Sequence, residues 1–398
     1  MNKLKLYLLF LVVVGCTSNQ INPLGEEYFI KFYGATGDQE GIAVKATPDG
    51  GFILGGNSIT EFGGLSDYLL IKVDAQGNQE WLMTYDFEGT GGDDRLQDVL
   101  VDGDSYIMAG TSSINEVDKI VLLRVGLEGV EQNRFIIQEA NTFDYKCTGI
   151  SLAPSGNLVV VGSLESQVGI STNGNSIFSV HNNDFSEIRI THSGNQGSEI
   201  THVKGFEVLA PSTQEKQYLA VGFTETIDEI KIGFYLFNNL LNTINSGDYK
   251  NILSSKAIDL APIENNNFMI LGTSEDLSIM VNLFRENDDF RLNSEGKIIQ
   301  SNKNVFIGNS LALIKGNEFA ISGNIKDLAS TKVEASVLTA NSITGISNWQ
   351  RLFGTDFNYT SGQTIVLENG SVLFTGTAGF KGQTKVFLIK LKSNGEMK

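Results

Sequence analysis

Side chains able to do chemistry are sparse in this chain and far apart. Its 398 residues contain three histidines, His181, His192 and His202, and two cysteines, Cys16 and Cys147. His192 and His202 are close in sequence and read as two solvent-facing loop histidines. A zinc site needs three or four convergent ligands, and none stands at workable spacing. No Gly-x-Ser-x-Gly elbow, phosphate-binding loop or dinucleotide fingerprint occurs. Cys147 precedes the apolar run Ile150 to Ala153 and reads as a small buried side chain, with only Lys146 beside it to favour a thiolate. What recurs is carboxylate: Asp38, Asp93, Asp94, Asp144, Asp248 and Asp356 fall in polar stretches at similar intervals. Two of them could act as a glycosidase pair, or a group could hold calcium. Recurrence at equivalent positions favours a third role, the capping of a turn that the chain makes again and again.

That interval belongs to a phrase. Seven apolar runs close on a glycine, at Gly56, Gly110, Gly162, Gly222, Gly272, Gly323 and Gly376, spaced 50 to 60 residues apart. A repeat of this period, built of strands, specifies an all-β, seven-bladed β-propeller with four antiparallel strands per blade. The first repeat shows the plan: Tyr28 to Tyr33, Ile42 to Ala46, Phe52 to Gly56 and Tyr68 to Asp74, before the next begins at Trp81 to Tyr85. The short turn after the fourth strand makes it a hairpin with the following repeat's first strand. The opening strand, Tyr28 to Tyr33, is therefore expected beside Val386 to Leu391, where it closes the ring. Trp81 and Trp349 occupy the same repeat position and read as blade core.

The connections divide into two sets. Tight turns such as Asp49-Gly50-Gly51 and Glu368-Asn369-Gly370 gather at one end of the strands, because antiparallel strands alternate direction. Long, variable connections, among them Phe87 to Arg95 and Gly354 to Gly362, gather at the other. Binding residues concentrate on loops carried by a rigid scaffold. The candidate binding face is therefore the long-loop end, with Asp38, Asp93, Asp94, Asp144, Tyr145, Asp356 and Tyr359 as its residues. Phe143, Phe357 and Phe380 lie near the same loops.

Ahead of the ring, Lys3 and Lys5 precede an apolar stretch, Leu6 to Val14, about half as long as a membrane-spanning helix requires. Val13-Val14-Gly15-Cys16 resembles the bacterial lipobox. The expected division is a signal peptide at 1–15, a lipidated tether at 16–26 beginning with acylated Cys16, and the propeller at 27–398. A net charge of −17 argues against electrostatic binding to nucleic acid or an anionic membrane surface.

Blades one, two and seven share a fuller phrase set: Phe29 to Gly34, Asp49 to Gly55 and Asp67 to Gly77, matched in blade seven by Trp349 to Gly354, Asn369 to Gly376 and Val386 to Gly395. This set resembles the repeat of secreted and lipid-anchored β-propellers common in Bacteroidota. It is similar in architecture only to the propeller-shaped accessory lipoprotein of the β-barrel assembly machinery. The resemblance implies the fold and an outer-membrane location, and transfers no catalytic residue. The expectation is a lipoprotein scaffold, not an enzyme and without cofactor, that binds outer-membrane or periplasmic proteins in an assembly, secretion or uptake complex. The alternative is a carbohydrate-binding or glycoside-active propeller.

Overall fold

Each glycine phrase forms the second strand of a four-stranded antiparallel sheet. In Phe52–Ile59 every residue but the last is buried, as an uninterrupted apolar strand between two covered faces should be. The structure is a computed structural model, and it describes residues 28–59, 64–87, 92–137, 143–166, 176–186, 188–194, 199–249, 255–302, 305–326, 332–354 and 357–397. Cys16 and Asp356 lie outside the described residues. Seven sheets follow one another along the chain, and no α-helix occurs among the described residues. The first strands of the seven are Asp38–Ala46, Asp94–Asp102, Phe143–Leu152, Glu199–Leu209, Lys256–Ile263, Val305–Lys315 and Tyr359–Val366. All seven line one central cavity and are therefore the inner strands of the ring. Sheet five carries an additional short strand, Lys297–Ile298.

The seventh sheet is composite. Its outermost strand is Phe29–Tyr33, paired antiparallel with Gln383–Leu391 so that Phe29 faces Lys390 and Tyr33 faces Val386. Ring closure is thus as the sequence implies. The core sits between blades: one apolar cluster joins Phe29, Tyr33, Leu373 and Leu388 of blade seven to Val44, Phe52 and Ile71 of blade one. Inner strands begin earlier than hydrophobicity alone suggests, at Asp38 instead of Ile42, because one side of each faces the central cavity and tolerates polar residues there.

All seven inner strands carry a β-bulge at the same level. The extra residues are Ile42, Gln97, Thr148, Val203, Ile258, Asn309 and the pair Gly362-Gln363. The residue just before each bulge pairs with the glycine of the phrase, as Gly41 does with Gly56 and Leu96 with Gly110. A Cβ on Gly56 would overlap the carbonyl oxygen of Glu40, and Gly110, Gly162, Gly222, Gly323 and Gly376 meet the equivalent carbonyl of their own inner strands. The phrase ends on glycine because a bulged neighbour presses its backbone into that spot. The residue after the glycine then stitches blades together. Asn57 accepts from Leu96 N at 2.8 Å, Thr111 from Cys147 N at 3.0 Å, Asn324 from Ser361 N at 2.8 Å and Thr377 from Gly41 N at 3.1 Å, each reaching the following blade.

Trp81 and Trp349 are half-buried and pack on the turn glycine of the next blade, Gly129 and Gly395 respectively, as Phe29 does on Gly77. Trp349 also donates its indole N–H to Ser393 O at 2.9 Å. They are seam residues between blades, reached because the outer strand leans over its neighbour's tight turn.

Two outcomes follow for stability. Deleting residues 28–33 removes the closing strand and should abolish the cooperative unfolding transition in a thermal melt. Gly56→Ala forces a side chain into a backbone oxygen and should lower stability by about 3 kcal/mol in urea titration. Gly50→Ala, in open space but at φ +85°, should lower it by only about 1–2 kcal/mol.

Candidate functional site: the axial cavity and the long-loop face

Because the bulges fall at one level, the residues they contain form a collar around the axis. The collar opens on a cavity of about 410 Å³ whose wall includes Glu40, Ala43, Asp98, Gly149, Lys204, Asp259 and Ser310. Below it, toward the tight turns, a second cavity of about 320 Å³ is bounded by Lys45, Lys204, Asp259 and Leu260. Between them stands a waist of two ion pairs. Lys45 Nζ lies 2.7 Å from Asp98 Oδ1, and Lys204 Nζ lies 2.8 Å from Asp259 Oδ1. All four side chains are mostly sheltered, at 22% and 11% exposure for the first pair and 21% and 11% for the second.

The two carboxylates are positioned alike but furnished differently. Each sits one residue after its bulge and accepts the next backbone N–H, from Val99 and Leu260, at 2.8 Å. Asp259 Oδ2 also takes Ser310 Oγ at 2.8 Å and Leu311 N at 3.0 Å. Burial works against the charge of Asp259, but Lys204 and these bonds hold its pKa below the usual carboxylate range. Lys204 is held above its ordinary value, against burial, by Asp259 and Asp98. Lys45 is pulled below its ordinary value by burial and by repulsion from Lys204, despite Asp98. Breaking a sheltered pair of this kind strands a charge, so the waist is fixed.

The residues singled out from sequence are dispersed by the fold. Asp38 and Asp144 begin inner strands, and Asp93 immediately precedes one; all three act between blades. Asp38 Oδ1 accepts from Thr384 N at 2.7 Å, Asp93 Oδ1 from Ser66 N at 3.1 Å, and Asp144 Oδ1 from Asp118 N at 2.9 Å. Asn358 does the same for Val333 N at 3.1 Å. Each caps the start of the preceding blade's third strand, which is the recurring structural role anticipated for them. Asp94 is buried, bound to Ser112 and to Phe87 N. With Asp67 and Asp86 it forms the trio of carboxylates, all within 4.8 Å, where calcium chemistry can be considered among the described residues. Burial first, then mutual repulsion, raises Asp67 and Asp94. Tyr145 is a fully buried core side chain. Tyr359 joins a half-exposed aromatic group: Phe32 stands edge-on to Phe380 at 4.9 Å and to Tyr359 at 6.3 Å, and Phe357 lies 5.9 Å from Phe380.

Cys147 is buried, with its thiol pushed up to about 12. Neither His192 nor His202 is a loop residue: the first lies on the strand Ile188–Ser193, and the second on an inner strand. The inner strand of His202 begins at Glu199, so the ring is buried beside Tyr235, Phe237 and Phe178, with neither nitrogen hydrogen-bonded. Sequence reasoning passed over Lys45, Asp98, Lys204 and Asp259. The available signal was a charged residue inside the apolar run before a tight turn.

No family model matches the chain, and no curated protein matches it. Solved structures do. The Dos1 propeller aligns over 91% of this chain and 94% of its own, at TM-score 0.50 and 10% identity. The phage phi92 endosialidase aligns over 92% and 69%, at 0.52 and 8%. A Mycobacterium tuberculosis puromycin-hydrolyzing peptidase aligns over 92% of this chain and 51% of its own, at 0.50 and 9%. At such identities the likeness is one of fold: a seven-bladed β-propeller of four antiparallel strands per blade. It also corrects one expectation. The same ring underlies an endosialidase and a peptidase, so the reading of this chain as not an enzyme is withdrawn.

The buried histidines set an acid limit. Burial lowers His202 to about 3 and His181 to about 4. Both stay neutral in the fold while the unfolded chain takes up protons below about pH 6.5. Stability should therefore fall as pH drops from 6.5, by about 2 kcal/mol per histidine at pH 5. The raised carboxylates Asp67 and Asp94 act in the opposite sense, adding stability as pH falls through their raised pKa toward the ordinary carboxylate range. His202→Leu should flatten the slope of melting temperature between pH 7 and 5; an unchanged slope would refute the assignment.

Proposed function

We propose that this protein is a lipid-anchored propeller of the bacterial outer membrane, tethered through Cys16, that docks onto other envelope proteins by its long-loop face. The observation carrying this reading is the asymmetry of the ring's ends. Tight turns close one end, while the other bears the blade-to-blade crossings, the mouth of the axial cavity and the aromatic group at the closing blade. Phe32 and Phe357 are 43% and 40% exposed. Exposed, mutually packed aromatic rings suit the anchor of a protein interface. No helix among the described residues is long and apolar enough to cross a membrane, so the lipid is the proposed attachment.

A second reading, carbohydrate binding, is favoured by the axial cavity, whose wall offers hydroxyl, amide and carboxylate groups around aliphatic patches. Affinity purification of the tagged protein from gently solubilised membranes tests docking. Stoichiometric co-recovery of an envelope protein is expected, reduced at least tenfold by Phe32→Ser with Phe357→Ser at unchanged melting temperature. Recovery of the wild type alone would overturn it.

A further inference from the structure

The two waist carboxylates form a natural comparison within one molecule. Asp259 is flanked at its own level by Lys204 in the preceding blade and Ser310 in the following one, and both of its oxygens are engaged. Asp98 occupies the same position in blade two, but its flanking counterparts are Ala43 and Gly149. Its lysine, Lys45, approaches from the tight-turn side instead and binds Oδ1, which Val99 N also binds. Asp98 Oδ2 therefore has no hydrogen-bond partner among the described residues. Asp98 is nonetheless only 8% exposed, and it lines the larger cavity. That oxygen opens on the cavity, where a ligand donor can take the place of solvent.

The chemistry of that donor follows from its surroundings. At Asp259 the corresponding oxygen is completed by a hydroxyl, that of Ser310. The waist is already balanced, with two ammonium groups and two carboxylates. Lys45 and Lys204 already neutralise the two waist carboxylates, so a neutral hydroxyl completes Asp98 Oδ2 without competing with either ammonium group. Lys204 keeps N–H donors beyond the one directed to Asp259. Gln97 offers a free amide on the collar, and Val203 and Ile258 supply apolar contact. We propose that the axial cavity binds a neutral polyhydroxyl ligand, a sugar ring, with one hydroxyl donating to Asp98 Oδ2 and a neighbouring oxygen accepting from Lys204. The volume of about 410 Å³ is in the range of small-molecule sites. The inference rests on the second reading above, that the ring binds carbohydrate, and it names where.

Saturation-transfer NMR on the full chain, followed by calorimetry, tests it with methyl α-mannopyranoside, methyl β-galactopyranoside, methyl α-glucopyranoside and maltotetraose as probes, and butylammonium as the charged comparison. At least one sugar should bind and butylammonium should not. Binding by a methyl glycoside indicates a free sugar as the source, and binding by maltotetraose alone indicates the end of a glycan; either supports the site. Asp98→Asn should weaken binding at least tenfold. Should that variant fail to fold, Gln97→Trp fills the cavity from an exposed position without touching the waist and should abolish binding. Sugar binding unchanged in both variants would overturn the axial site while leaving carbohydrate binding intact. No sugar binding, or preference for butylammonium, would overturn both.

Discussion

The contact between a bulged inner strand and a glycine in its neighbour governs the rest of this structure. In six of the seven blades the bulge pushes the inner strand's carbonyl against the adjacent strand, and only a residue without Cβ admits it. The bulge turns the preceding N–H out of its own ladder, and in four blades the Asn or Thr following the preceding blade's glycine receives it. One local irregularity therefore fixes strand spacing, blade contact and the shape of the axis together. An unsatisfied N–H at that depth would be costly, so the glycine and the hydrogen-bonding residue after it act as a unit.

The collar explains why the interior is polar where most cores are not. Residues on either side of the bulge face a shared space, and the pairs Lys45–Asp98 and Lys204–Asp259 cross between blades there. These pairs hold the ring in register more than they raise its stability, since desolvation offsets much of the attraction. Apolar packing between blades, with clusters such as that joining Phe29 and Leu373 to Val44, supplies the stabilisation.

The period of the glycines, the turns and the closing pair were legible because each depends on residues close in sequence or repeated in it. The bulges were not, because Ile42, Gln97, Thr148 and Val203 have nothing in common as residue types; what they share is a place opposite a glycine. For the same reason Asp98 and Asp259 escaped notice: their importance comes from neighbours about fifty residues away in other blades. Recurrence pointed to a capping role that Asp38, Asp93 and Asp144 fill, although the same residues were also expected on the binding face. His202 was misplaced because a polar inner strand reads like a loop, and Tyr145 because burial depends on the neighbouring blade.

Closure by Phe29–Tyr33 also has a consequence in time. The strand is made first, yet its partner Gln383–Leu391 is made last, and Asp38 must wait in the same way for Thr384. Throughout synthesis and any export step an aromatic strand with open edges has nothing to pair with. Such segments are prone to join strands of other molecules. Six blades join strands that follow one another in the chain, whereas the seventh joins strands from its two ends, so the pairing of greatest sequence separation falls at the seam. A cell making this protein needs to keep that one strand occupied until Gln383–Leu391 has been made.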